Sequence, residues 1–322
     1  MPQIRKDYVL NRYVIIAQKR FGRPYDFSKS QQKKKIISKN KTCFFCPGNE
    51  EKTPPEISRI KAKDKDWQIR VFPNKFPAVI AKGSYKFKTK DKILHYSNAF
   101  GYQEVIVETP VHSQKISDLN QKQILQLLKI YADRIRKLSQ KKGIKYVSVF
   151  KNQGKEAGAS LEHTHTQVAA YNLLPSIIEK KEKLSKNKCP YCEVIKVEKN
   201  SPRKCFENNS FLAFTPFASR FAYEIWLMPK KHIINFEQLD ETSLKDLAEI
   251  FKKIIEKIDF LNISYNFFIQ YGIKNMHLQI IFIPRVSNWG GFEFGPETVI
   301  NTVSPENAAK YYKSVVNQTK EP

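Results

Sequence analysis

The chain has 322 residues, 41% of them hydrophobic, with 56 basic against 31 acidic side chains and a net charge of +25. That length exceeds one typical compact core, so two domains are the first expectation. No apolar run reaches the roughly 18 residues of a membrane helix, so no membrane partner is expected. The opening MPQIRKDYVLNRYVII carries Arg5, Lys6, Asp7 and Arg12 and has no uninterrupted apolar core. It does not read as a secretory signal, which makes the cytoplasm the default location. The positive field attracts phosphates and nucleotides. Lysine is nevertheless spread along the whole chain, as a compositional bias would spread it, so nucleic acid is not expected as a partner.

In chain order, the Lys-rich stretch 28–41 reads as a solvated loop. The first C-x-x-C pair, Cys43 and Cys46, follows in CFFCPGNE, and a second, Cys189 and Cys192, lies in CPYCEVIK. In a cytosolic chain such pairs mean metal or redox chemistry more often than structural disulfides. Both look like knuckle turns rather than the strand-to-helix junction of a thioredoxin motif. Cys205 stands alone and is expected to be a free thiol of no special role.

The chain then repeats itself. EVIVETPVHSQKISDL (104–119) and EIWLMPKKHIINFEQL (224–239) align at an offset of 120, pairing Glu104 with Glu224 and His112 with His232. Each is followed by one apolar stripe at helical spacing, Ile124 to Leu138 and Leu244 to Ile258. Asn120 and Asp240 stand just before as N-caps. A strand comes next in each half, at 146–150 and 265–271, then a glycine, then a histidine-bearing strand with His163 or His277. The pattern predicts an α+β fold of two tandem units, each an antiparallel sheet with packed helices. The join falls near the Lys-rich stretch 172–188, giving domains 1–175 and 176–322.

Each unit offers two cysteines and two histidines. Cys43, Cys46, His112 and His163 form one Cys₂His₂ set; Cys189, Cys192, His232 and His277 form the other. Four N/S ligands suit tetrahedral zinc with no open position, hence a structural cofactor at the first site and a second zinc at the other. Strand alternation puts His163, His165 and Gln167 on one face, so a metal on His163 pins the strand that aims His165. The preceding loop NQGKEAGAS supplies Gly154 and Gly158 for close backbone approach to an anion, with Asn152 and Ser160 as donors. This combination suits nucleotidyl transfer, with the neutral imidazole of His165 as nucleophile and Gln167 as a donor to a non-bridging phosphate oxygen. In the second unit Gln279 replaces His165, so one active centre per chain follows.

These residues resemble the galactose-1-phosphate uridylyltransferase family, within the histidine-triad superfamily. CFFCPGNEEKTPPEI, VETPVHSQKISDL, NQGKEAGASLEHTHTQV and GGFEFGPETVINTVSPE are similar to family blocks, in family order, across nearly the whole chain. The resemblance implies two histidine-triad-like domains in a homodimer, His165 as nucleophile, and His163 as a zinc ligand with Cys43, Cys46 and His112. It also implies nucleotide contacts at Arg20, Arg23, Phe72 and Asn74, and phosphate contacts at Asn152, Ser160 and Gln167. Glu293 would grip the hexose in the neighbouring subunit's site. The best-known uridylyltransferases carry a glutamine six residues after that glutamate, where this chain has Val299. The HTHTQ wording and the second Cys₂His₂ set look closer to an ADP-glucose phosphorylase-like branch.

The main expectation is therefore a ping-pong nucleotidyltransferase of galactose and carbohydrate metabolism, acting on a UDP-sugar and a hexose 1-phosphate. The alternative pairs an ADP-sugar with inorganic phosphate. A histidine-triad hydrolase competes less well, because Gln167 is a poor proton donor to a leaving group. A zinc-ribbon nucleic-acid binder has no use for His165, Gln167 or the glycine loop.

Overall fold

The computed structural model describes residues 1–20, 43–62, 67–272 and 274–315. Arg23 and the loop 28–41 lie outside the described residues. In the first part of the chain the strands are β1 (Gln3–Lys6), β2 (Tyr13–Ile16), β3 (Ser58–Ile60), β4 (Ile69–Pro73), β5 (Lys88–Lys90), β6 (Leu94–Tyr96), β7 (Gly101–Val107), β8 (Tyr146–Gln153) and β9 (His165–Tyr171). The later strands are β10 (Lys204–Glu207), β11 (Phe211–Phe214), β12 (Ile225–Pro229), β13 (Tyr265–Gln270), β14 (Gln279–Pro284) and β15 (Val299–Asn301). The helices are α1 (Gln121–Ser139), α2 (Ser176–Leu184), α3 (Pro190–Lys199), α4 (Glu241–Phe260), α5 (Gly291–Phe294) and α6 (Pro305–Lys313).

Ten strands form one sheet in the order β10-β11-β12-β14-β13-β8-β9-β7-β4-β3, with every pairing antiparallel. Five strands come from each repeat, and the two sets meet where β8 pairs with β13, Asn152 opposite Asn266. The two expected sheets are thus continuous. Backbone donors at the edges of β8 and β13 satisfy one another there instead of meeting water.

The two long helices lie side by side on one face of this sheet. Asn120 caps α1 by accepting from the Gln123 backbone N–H at 3.0 Å, while the Gln123 side chain accepts from the Asn120 N–H. Asp240 caps α4 through the Ser243 N–H at 2.7 Å. The predicted stripes are the buried ones: Ile124, Leu127, Leu128, Tyr131, Ile135 and Leu138 on α1, and Leu244, Leu247, Ile250, Phe251, Ile254 and Ile258 on α4. Each fully buried aliphatic side chain contributes about 1.5–3 kcal/mol, so these stripes fix the helices to the sheet.

One region fills in what the sequence reading left open, and another departs from it. Part of the Lys-rich join is helical: α2 buries Ile178 and Lys181, three apart on one face. The second C-x-x-C pair opens a helix rather than a turn, with Cys189 at the N-cap of α3 and Pro190 at its first position, where proline costs no hydrogen bond. A small sheet joins the chain's distant parts, β1 antiparallel to β2 and β15 parallel to it. The Arg5 guanidinium bonds Glu306 at 2.9 Å across the same junction.

Candidate functional site

Cys43 and Cys46 sit in a turn, His112 in the loop after β7, and His163 just before β9. The structure brings all four together, their ligand atoms within 4.8 Å of one another. Cys46 Sγ lies 3.3 Å from His112 Nδ1 and 3.6 Å from His163 Nδ1, and Cys43 Sγ lies 3.6 Å from His163 Nδ1. A tetrahedron with zinc bonds of ~2.0–2.3 Å has edges of ~3.3–3.8 Å, so the donor set fits such an ion. His163 Nε2–H donates to the Thr109 carbonyl at 2.7 Å, which leaves Nδ1 bare towards the cluster. Burial holds the His163 ring down to about 4.

The second cluster repeats this geometry. Cys192 Sγ is 3.4 Å from His232 Nδ1, Cys189 Sγ is 3.9 Å from His277 Nδ1, and His277 Nε2–H donates to the Pro229 carbonyl at 2.8 Å. Its four ligand atoms also lie within 4.8 Å of one another.

His165 opens β9, with Val107 opposite on β7 and Gln167 opposite Val105. Its Nδ1–H donates to the His163 carbonyl at 2.9 Å. The tautomer is therefore set, and among the described residues no group bonds the Nε2 lone pair. Burial, and then the Lys151 ammonium, hold the imidazole below its ordinary range, so it is neutral near pH 7. The Phe45 ring crosses the imidazole edge-on at 5.3 Å and the Phe72 ring at 5.5 Å, walling this side with apolar surface.

The Gln167 carbonyl oxygen accepts from Gln103 Nε2 at 2.9 Å and from Asn74 Nδ2 at 3.5 Å. Both amide hydrogens of Gln167 are thereby turned the other way, available to donate. Gln103 also accepts from the Ala78 N–H at 2.7 Å, tying the segment after Asn74 to the same point. Sequence reasoning missed Gln103. Its signal is its place on β7, diagonal to Gln167 across the ladder.

The glycine loop follows β8. Gly154 has φ +85° and Gly158 φ +81°, both in the left-handed region that glycine tolerates. A Cβ on Gly154 would stand 2.2 Å from Ser264 Oγ, so no other residue fits there. Asn266 of the second repeat holds the loop, donating to the Asn152 side-chain oxygen and the Ala157 carbonyl, each at 2.9 Å. Ser160 is exposed on the following segment. Arg20 ends a 3-10 turn after β2. Glu293 lies on α5, where its carboxylate accepts from the Gly290 N–H at 2.9 Å.

Beneath β9, on the face away from His165, sits a polar group that the sequence did not reveal. Lys151 Nζ donates to Glu108 and to Thr164 Oγ1, each at 2.8 Å, and to the His165 carbonyl at 3.0 Å. Glu108 accepts from the Thr164 and Thr166 hydroxyls, each at 2.5 Å.

Comparison with known proteins finds relatives along nearly the whole chain. The profile of the galactose-1-phosphate uridyl transferase N-terminal domain matches residues 1–175, and a domain of unknown function, DUF4921, matches 107–321. The chain is 34% identical to the ADP-glucose phosphorylase of Arabidopsis thaliana over 98% of this chain and 93% of that protein. It is 29% identical to the galactose-1-phosphate uridylyltransferase of Thermotoga maritima over 96% and 97%. A crystal structure of an Arabidopsis thaliana ADP-glucose phosphorylase with bound ADP-glucose superposes with a TM-score of 0.81 at 33% identity, covering 98% of this chain and 99% of that one.

Proposed function

The chain belongs to the galactose-1-phosphate uridylyltransferase family and is a nucleotidyltransferase of that family, and from that premise we propose that His165 carries the transferred nucleotide. The observation that carries this reading is the fixed tautomer of a buried, neutral imidazole, with Nδ1–H on the His163 carbonyl and Nε2 without a partner among the described residues.

In the first step the Nε2 lone pair attacks the α-phosphorus of a nucleotide sugar. The bond from that phosphorus to the bridging oxygen breaks, and sugar 1-phosphate leaves with the electron pair. In the second step a phosphate oxygen attacks the same phosphorus, the P–N bond breaks, and the imidazole recovers its lone pair. No proton leaves the ring, and the His163 carbonyl holds the Nδ1–H as positive charge develops on the ring. Gln167 donates an amide hydrogen to a non-bridging oxygen as negative charge grows there. The resemblance assigns Asn74, Asn152 and Ser160 to the nucleotide and its phosphates, together with Arg20, Phe72 and Arg23, the last of which lies outside the described residues. Zinc in the first cluster would fix the strand on which His165 sits, and zinc in the second would tie α3 to its sheet. The catalytic unit is residues 1–175 and the companion unit 176–322. In a homodimer Glu293 would reach the hexose of the neighbouring site.

Of the two substrate pairs expected from the sequence, an ADP-sugar with inorganic phosphate is the better supported. The relative named ADP-glucose phosphorylase is similar across almost the full chain. In addition, Val299 is buried in the small sheet opposite Val14 and offers no polar group where the best-known uridylyltransferases have a glutamine.

Intact-mass measurement after mixing the protein with ADP-glucose or UDP-glucose tests both points. The expected result is a gain of one adenosine monophosphate, absent in His165→Ala. A uridylyl adduct instead would reverse the base assignment, and no adduct with either would end the transferase reading.

A further inference from the structure

The polar group under β9 has an internal control, because the second repeat builds the same place differently. His277 follows His163 by 114 residues, so Leu278 and Ile280 stand where Thr164 and Thr166 do. Met228 precedes the carbonyl that receives His277, as Glu108 precedes the carbonyl that receives His163. Gln270 pairs with Gln279, and the β8–β9 register, carried two residues past Phe150 opposite Gln167, sets Asn152 against His165, so Ile269 answers to Lys151. Phe251 follows its helix cap by the same eleven residues (251 − 240) as Tyr131 (131 − 120).

Every polar member therefore has an apolar, buried counterpart in the unit without a nucleophile. The same fold accepts the apolar filling. A buried ion pair is commonly no more stable than well-packed apolar residues of similar volume, so stability gives no reason for the charged version.

We infer that Lys151 and Glu108 are positioning residues for the nucleophile. This inference rests on the reading of His165 given above. The geometry is direct. Glu108 takes the hydroxyls of Thr164 and Thr166, the residues on either side of His165, and Lys151 takes the His165 carbonyl itself. Tyr131, on α1, is hydrogen-bonded to Thr166 at 2.8 Å and extends the clamp into the helix layer. The imidazole hangs from the His163 carbonyl on the same short stretch. Clamping residues 164–166 from below thus fixes the direction of Nε2, while the metal cluster fixes only the end at His163. Attack on phosphorus tolerates little slack, which gives a second anchor a purpose.

The test is the metal-replete full chain with Glu108→Met and Lys151→Ile, the residues of the second repeat. It should fold with its metal content unchanged and keep its KM for the nucleotide sugar within about threefold. Formation of the nucleotidyl-histidine in a single turnover should slow by about 10²-fold. Long-range ¹H–¹⁵N spectra of histidine-labelled protein give a readout independent of turnover. The native His165 should show its proton confined to Nδ1, and the double variant should show it shared between the nitrogens. A folded double variant with native adduct rate and native ring signals overturns the inference. If that variant does not fold, Glu108→Gln is judged by the same two measurements, and Lys151→Arg should regain part of the rate. Should the native chain form no adduct at all, the functional reading fails, and the ring spectra still decide the positioning role.

Discussion

The two repeats of this chain share a sheet, a capped helix and a Cys₂His₂ cluster, and differ around one strand position. In the first repeat that position is His165, whose Nε2 has no partner among the described residues. In the second it is Gln279, whose side-chain oxygen accepts from Lys181 Nζ at 3.1 Å while Gln270 accepts from the same ammonium at 2.6 Å. Lys181 also lies over the rings of Tyr191 and Trp226. The second repeat thus fills with its own cation the place where the first would meet a phosphate. On the function proposed above, one scaffold serves two ends: where it acts, the ligand side is left to a substrate and the hidden side is polar; where it only supports, the ligand side is filled and the hidden side is apolar.

The contrast can be broken most decisively at the strand position itself. His165→Ala should lower turnover by about 10⁴-fold or more, whereas Gln279→Ala should change it by less than about threefold. Gln279→His should still give one nucleotidyl adduct per chain by intact mass, because Lys181 stands beside it. Two adducts would mean that the second repeat is a dormant centre rather than a filled one.

Metal comes next in size. Elemental analysis should find two zinc ions per chain, falling to one in either Cys46→Ser or Cys192→Ser. A structural zinc contributes on the order of 10 kcal/mol to folding. Both variants should therefore lose thermal stability, but only Cys46→Ser should also slow adduct formation strongly.

A smaller effect is expected at Gln167. Loss of one donor to a charge-bearing oxygen typically costs about 10²–10³-fold in kcat, so Gln167→Ala should fall in that range with the adduct still detectable. An unchanged kcat would remove Gln167 from the mechanism.

The smallest effect concerns pH. Burial, and then Arg12, hold Lys181 down to about 7, against an ordinary 10.5, with Asp7 and Glu224 pulling the other way. Between those values the unfolded chain binds more protons at this site than the folded one, so the site favours folding more as pH rises. Relative to Lys181→Met, the native protein should gain thermal stability between about pH 7 and about pH 9, by a few degrees. A constant difference across that range would show that the ammonium is not penalised.

Much of this was legible in the sequence. The ligand sets could be read because C-x-x-C spacing is rare and each pair recurs with its two histidines. The helices could be read because Asn120 and Asp240 sit just ahead of unbroken stripes. His165 stood out against Gln279 once the repeats were aligned. Lys151 and Glu108 did not stand out, because in a chain with 56 basic residues one more lysine carries little information. Its only signal is period two: it follows Val147 and Val149 on the buried face of β8. The helix α2 was hidden for the same reason, since its core-facing stripe includes a lysine. The merging of the two sheets was not readable, because it depends on which edge strands meet rather than on any residue's own preference.

The small sheet carries a consequence for synthesis on the ribosome. Strands β1 and β2 precede the ten-stranded sheet in the chain, yet β15, which pairs with β2, follows it. Glu306, which receives Arg5, emerges later still. The ten-stranded sheet can assemble repeat by repeat, domain-wise folding being the usual order in larger chains. The opening segment can meet residues 198–217 once they are made, through the Tyr8 hydroxyl on Glu198 and Arg5 on the Phe217 carbonyl, but its strand pairing must wait for β15. The small sheet thus closes only after the strands of both repeats have been made.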